Sequence, residues 1–131
     1  VNIKEIEYLI GSYAPKIGLA DWTITARRPN KGETTHRAFV ISDPIQLWAD
    51  TAWDLTHPDW KTASDTERER VILHELCHIL FSRYSQVAHD IIQEETDETI
   101  RDHLIARIDD QEESICGKLS AVFHQLMKGD Q

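Results

Sequence analysis

The residues of this chain best placed to do chemistry are two histidines four positions apart with a glutamate directly after the first, His74-Glu75-Leu76-Cys77-His78. On an α-helix that spacing projects both imidazoles from one face, about one turn from each other, so a single cation can touch both. Zinc takes neutral imidazole nitrogen readily, and a catalytic zinc is held by three protein ligands with a fourth position left for water. Zn2+ is therefore the expected cofactor, His74 and His78 are two of its ligands, and the third must come from elsewhere in the chain. Glu75 lies about 100° around the helix from His74, where its carboxylate reaches a zinc-bound water without becoming a ligand. That is the position of a general base, and Glu75 is the expected catalytic residue.

The third ligand decides the subclass. A metzincin needs glycine at the third position after His78 and histidine at the sixth; this chain has Phe81 and Tyr84 there, which excludes that group. His89 and His103 are candidates by residue type, but His89 falls beyond the expected end of the helix and His103 lies in a polar lead-in to the next one. Glu112 and Glu113 remain, adjacent on a helix whose next residues, Cys116 and Gly117, are small enough to permit close approach to the His74–His78 helix. The two glutamates pull in different directions. Glu112 lies near the centre of the stripe formed by Ile108, Ile115 and Leu119, where a carboxylate needs a partner. The small residues favour Glu113, which is expected as the ligand, with Glu112 as the alternative.

His-Glu-Leu-Cys-His followed, 35 residues after His78, by Glu113-Ser114-Ile115-Cys116-Gly117 resembles the gluzincins, the thermolysin kind of zinc peptidase. It is also similar to small metallopeptidases of phages and mobile elements and to the ImmA/IrrE type, in which a small residue stands three positions after the ligand glutamate, as Cys116 does after Glu113. The resemblance covers Val71 to Leu80 firmly and Glu112 to Leu126 loosely. It implies a minimal zincin-like metallopeptidase, a zinc metalloendopeptidase that hydrolyses peptide bonds in a peptide or protein substrate. One departure is visible: gluzincins place an aspartate four residues after the ligand glutamate to orient a histidine, and here that position is Gly117. Asp109, one turn before Glu113, is a candidate for the missing role, since such carboxylates fix the imidazole tautomer. Two rival functions stand beside the peptidase: a non-catalytic zinc-binding regulatory or interaction protein, and a zinc hydrolase with a non-peptide substrate. An intact Glu75 argues against the first, because a structural site needs no base.

These residues need elements to position them. Ser64-Asp65-Thr66-Glu67 has the form of a capping box and opens a helix expected to run to about Tyr84. Ile100, Leu104, Ile105, Ile108, Ile115, Leu119, Val122 and Leu126 mark a long C-terminal helix ended by Lys128-Gly129. At the other end, Ile3, Ile6, Leu9, Ile10 and Tyr13 recur at helical spacing behind Asn2, a good N-cap, with Pro15 closing the segment. Trp22–Arg27, Arg37–Ile41 and Ile45–Ala49 read as strands, with Asn30-Lys31-Gly32 as a turn. Ile45–Ala49, nearest in sequence to the metal helix, is the candidate edge strand beside the cleft. Residues 51–64 read as a loop. The expected architecture is α+β: one domain over 1–131 with an N-terminal helix, a small three-stranded and mostly antiparallel sheet, the helix bearing the metal motif and the long last helix.

Composition narrows the partners. The formal charge of −9, from 23 acidic and 14 basic residues, opposes the counterion release on which non-specific nucleic-acid binding depends. No nucleic-acid and no membrane partner is expected, since no apolar run approaches the roughly 18 residues of a spanning helix. The first residues, Val1 to Ile6, lack the basic-then-apolar layout of a secretory signal, and Cys77 and Cys116 suit a reducing compartment as buried small hydrophobes, so a cytoplasmic location is expected. Trp48, Trp53 and Trp60 are candidates either for core or for a substrate subsite. The oxyanion donor is not evident, Tyr84 and His89 being the nearest candidates, and the acidic run Glu94 to Glu98 reads as a solvated face.

Overall fold

The structure, a computed structural model, describes residues 2–33 and 37–129. Helix α1 spans Ile3–Tyr13 and starts as its cap residue dictates, with Asn2 Oδ1 accepting the amide of Glu5 at 2.9 Å. Its apolar stripe buries Ile6, Ile10 and Tyr13. A 3-10 turn over Ala14–Ile17 follows and stops at Gly18, whose φ of 94° is a conformation that glycine adopts without cost.

Three strands come next: β1, Thr23–Arg27; β2, Ala38–Asp43; and β3, Trp48–Trp53. The sheet order is β1-β3-β2. β3 pairs parallel to β1, with Thr23 opposite Trp48, and antiparallel to β2, with Ala38 opposite Trp53. The sheet is thus mixed rather than mostly antiparallel. The expected edge strand at Ile45–Ala49 is also displaced: residues 44–47 form the turn between β2 and β3, and the strand beginning at Trp48 is central. Asp43 Oδ1 accepts the amides of Ile45 and Gln46, and Leu47 sits at φ 58°, which together close the hairpin before a strand can start. The edge strand in contact with the helix that bears His74 and His78 is β2.

The segment expected as a loop from Thr51 holds the rest of β3 and a short helix, α2, at Pro58–Thr62. Thr51, Ala52 and Trp53 are all buried, as both faces of a central strand are, and so show no alternation by which to be recognised. Trp53 and Trp60 meet edge to face at 5.9 Å between ring centroids and belong to the core, whereas Trp48 is partly exposed.

Helix α3 spans Asp65–Ile92 behind the expected capping box, in which Ser64 Oγ accepts the Glu67 amide and the Glu67 carboxylate accepts the Ser64 amide. It runs two turns beyond Tyr84. Helix α4 spans Glu98–Gly129 and lies against it. Asp97 Oδ1 accepts the Ile100 amide at its start, so part of the acidic run serves as a cap. The core gathers α1, the sheet and the first half of α3, with Ile72, Leu73, Leu76 and Ile79 fully enclosed. On α4 the buried face is Cys116, Ser120 and His124; Ile115, Val122 and Leu126, which mark the helix in the sequence, are exposed. Among the described residues no helix is long and apolar enough to cross a membrane.

Candidate metal centre

The core positions the site by clamping one side of α3. Leu73, Leu76, Cys77 and Ile79 are buried, which fixes the helix rotation and turns His74, Glu75 and His78 toward α4 and the β2 edge. On α4, fully buried Cys116 sets the approach of the two helices, and Glu113 lies one turn before it. A Cβ on Gly117 would meet nothing within 4 Å, so Gly117 faces the cleft and is not what lets the helices approach. Both cysteines are buried free thiols, and burial, reinforced by Cys116, pushes the Cys77 thiol up to about 12.

His74 and His78 meet Glu113 directly. His74 Nε2 lies 2.8 Å from Glu113 Oε1, His78 Nε2 lies 3.0 Å from Glu113 Oε2, and the two imidazole Nε2 atoms are 3.2 Å apart. The neighbouring glutamate takes the other side of His78: Glu112 Oε2 is 2.7 Å from Nδ1, and Glu112 also accepts from Ser85 Oγ. Glu112 and Glu113 are therefore not rivals for one place. One carboxylate orients His78 from behind and the other joins the two imidazoles in front. Asp109, the sequence candidate for the orienting role, instead pairs with His89 at 3.0 Å, one helical turn further from the core. Neither His89 nor His103 enters the three-residue group, and Tyr84 is exposed away from the cleft.

The donor set fits a zinc ion. Glu112 facing Nδ1 places a proton of His78 on that nitrogen and turns Nε2 toward His74 Nε2 and a Glu113 oxygen. His74 Nε2, His78 Nε2 and a Glu113 oxygen converge within 4.8 Å, a two-histidine, one-carboxylate donor set of the kind that zinc takes. Separations near 3 Å are also what a tetrahedral ion with bonds of about 2.0–2.1 Å requires of its ligands. The electrostatics agree. Burial is the largest influence on His74 and lowers its pKa, which favours the neutral imidazole that a metal would need. Burial works the same way on His78, but its polar surroundings, Cys116 and the Glu112 carboxylate first, outweigh it and raise its pKa to about 11.

Glu75 touches none of these groups. Burial, with a smaller contribution from Glu113, raises its carboxyl to about 7, against the pull of His78 and Arg37. A cavity of about 720 Å³ opens in front of it, lined by Arg37, His57, Arg70, His74, Glu75 and Glu113 among others. A second space on the far side of His78 shares Glu75 and His78 and is lined by Val40, Ser42, His89, Asp90 and Glu112. The two form one trough along β2, with Ala38 at one end and Val40 and Ser42 at the other.

Three cleft residues are not singled out by the sequence. His57 caps α2, its Nδ1 accepting the Asp59 amide at 3.2 Å; that bond leaves the proton on Nε2, the free edge of a ring that lines the cavity. Arg37 stands just before β2, with Asp59 at 3.8 Å as its charged neighbour. Arg70 precedes His74 by one turn of α3, a spacing that does put it on the ligand face, and it is the one of the three that the motif helix itself makes legible. Comparison of the chain with protein-family models, with curated proteins and with solved structures gives no match in any of the three.

Proposed function

We propose that this chain is a zinc-dependent metallopeptidase of zincin-like layout, with His74, His78 and Glu113 as the zinc ligands and Glu75 as the general base. The observation that carries the reading is the division of labour in one cluster: three lone-pair donors converge, while a fourth group, Glu75, stands beside them on the same helix with its carboxyl raised to about 7. A structural zinc is closed by four protein ligands and needs no base, whereas three ligands with a base beside them suit a catalytic one. A zinc ion bound there supplies a Lewis acid that polarises a carbonyl and lowers the pKa of a water.

The chain's own residues supply the rest. Glu75 Oε accepts a proton from the attacking water and passes it to the nitrogen of the leaving amine, so one carboxyl serves as base and then as acid. Glu112 holds His78 in its Nδ1–H tautomer, so that its Nε2 remains available as a ligand. The His57 Nε2–H and the Arg37 guanidinium are the donors in the cleft suited to the carbonyl oxygen as it gains charge. The outer edge of β2 runs the length of the trough, so an extended peptide can lie along it and pair with its backbone.

The test is Glu75→Gln, assayed on a mixed peptide pool by mass spectrometry alongside metal analysis. The expected outcome is full zinc retention with cleavage reduced by about 10²–10⁴. A wild-type protein that binds zinc but cuts no peptide would remove the peptidase reading.

A further inference from the structure

The two ends of the trough differ in their charged groups. In a chain with 23 acidic and 14 basic residues, one end is lined by Arg37 and Arg70 beside Asp59 and the ligand candidate Glu113, whereas the other, among the described residues, is lined by Asp90, Glu112 and His89 without a lysine or arginine. Glu75 and His78 line both ends, so the bond to be cut lies between them. At the basic end Asp59 offsets part of the charge, but its 3.8 Å approach to Arg37 is too long for a charge-assisted hydrogen bond. Arg70 is exposed and, among the described residues, has no hydrogen-bond or ion-pair partner. A guanidinium is a planar fork that matches a carboxylate with two parallel bonds, and here it is presented from the helix face that holds the ligands.

Resting on the peptidase reading, we propose that the Arg37–Arg70 end of the cleft is a subsite for a carboxylate of the substrate, borne by an acidic side chain or by the peptide's C terminus next to the cleaved bond. Burying such a group under a bound peptide strengthens the pairing relative to a fully exposed ion pair. The opposite, acidic end disfavours the same group, so the charge also fixes the direction in which a peptide lies.

The test uses the zinc-loaded 131-residue chain and two hydroxamate scaffolds that reach to either side of the metal. These are Ac-Ala-Xaa-NHOH and HONH-CO-CH2-CH2-CO-Ala-Xaa, with Xaa as Glu or Gln and the second scaffold ending in a free carboxylate or an amide. Binding is read by titration calorimetry. At least one charged compound should bind about tenfold tighter than its neutral twin, and the preference should fall to within about twofold in Arg70→Gln and weaken in high salt. Lys118→Gln, which removes the same charge from an exposed position outside the cleft, should leave it intact. Preference for Glu over Gln identifies a side-chain subsite, and preference for acid over amide identifies a C-terminal one. Equal binding of charged and neutral twins, or a preference unchanged in Arg70→Gln, overturns this inference alone. Failure of every hydroxamate to bind overturns the metallopeptidase reading and this inference with it.

Discussion

The helical hairpin of α3 and α4 has two halves that are held in different ways. Near the core, Ile72, Leu73, Leu76, Cys77 and Ile79 on α3 and Cys116, Ser120 and His124 on α4 are buried, and His124 Nε2 meets Glu69 at 2.6 Å. Beyond the core, no residue from 80 to 115 is buried. Two histidine–carboxylate pairs across the helices can be set side by side: His78 with Glu112 at 2.7 Å, where the packed half ends, and His89 with Asp109 at 3.0 Å, further out. The first pair is about one-fifth exposed on both partners, while in the second Asp109 is 61% exposed. The same chemistry is thus placed once in a setting that can tune a metal ligand and once in a setting where solvent screens it. The difference lies in packing, and the candidate site sits where the packed half ends.

Predictions that bear on this contrast begin with the core. Ile72→Ala removes a fully enclosed side chain and should cost about 2–5 kcal/mol in urea unfolding, whereas Ile91→Ala, on the outer half, should change stability by about 0.5 kcal/mol or less. Equal costs at the two positions would break the contrast outright. Next, Glu112→Gln should weaken zinc affinity by about 10–100-fold, since a neutral amide no longer fixes the imidazole of His78 in the same way. Asp109→Asn should leave zinc affinity unchanged, as measured by competition with a chromogenic chelator.

The pH dependence sharpens the same point. The folded metal-free protein holds a proton on Glu75 up to about pH 7, while the unfolded chain releases it near the ordinary carboxylate value of 4.5. Between those values the folded state binds more protons, so this group's contribution to stability is lost as pH rises through that window. Thermal melts of the metal-free wild type relative to Glu75→Gln should therefore decline from about pH 4.5 to 7 and level off above. For His78 the raised pKa means that zinc must displace a proton, and affinity should fall by about tenfold per unit as pH drops across the neutral range. The smallest effect expected is that of Asp109→Asn on stability, within about 0.5 kcal/mol by the same urea measurement.

What the sequence made legible follows the strength of the local signal. His74, Glu75 and His78 announce themselves by spacing, and the capping box at Ser64 and the cap at Asn2 have the predicted partners. The central strand is hidden because burial on both faces erases alternation, and its start is set by the Asp43 turn and the φ of Leu47, neither of which has a periodic signature. On α4 the apolar residues reveal a helix but not its inner face, because small and paired polar residues, Cys116, Ser120 and His124, make the contact with α3. The choice between Glu112 and Glu113 looked exclusive in one dimension; a histidine has two nitrogens, and the geometry gives a glutamate to each. His57 and Arg37 belong to the cleft only through the fold.

The central claim is that His74, His78 and Glu113 hold one zinc ion, and metal analysis of the purified protein after zinc loading and desalting tests it most directly. The account predicts one zinc per chain in the wild type and in Glu75→Gln, and little or none in His78→Ala and Glu113→Ala. A wild type that retains no zinc, or a Glu113→Ala variant that retains it fully, would contradict the account.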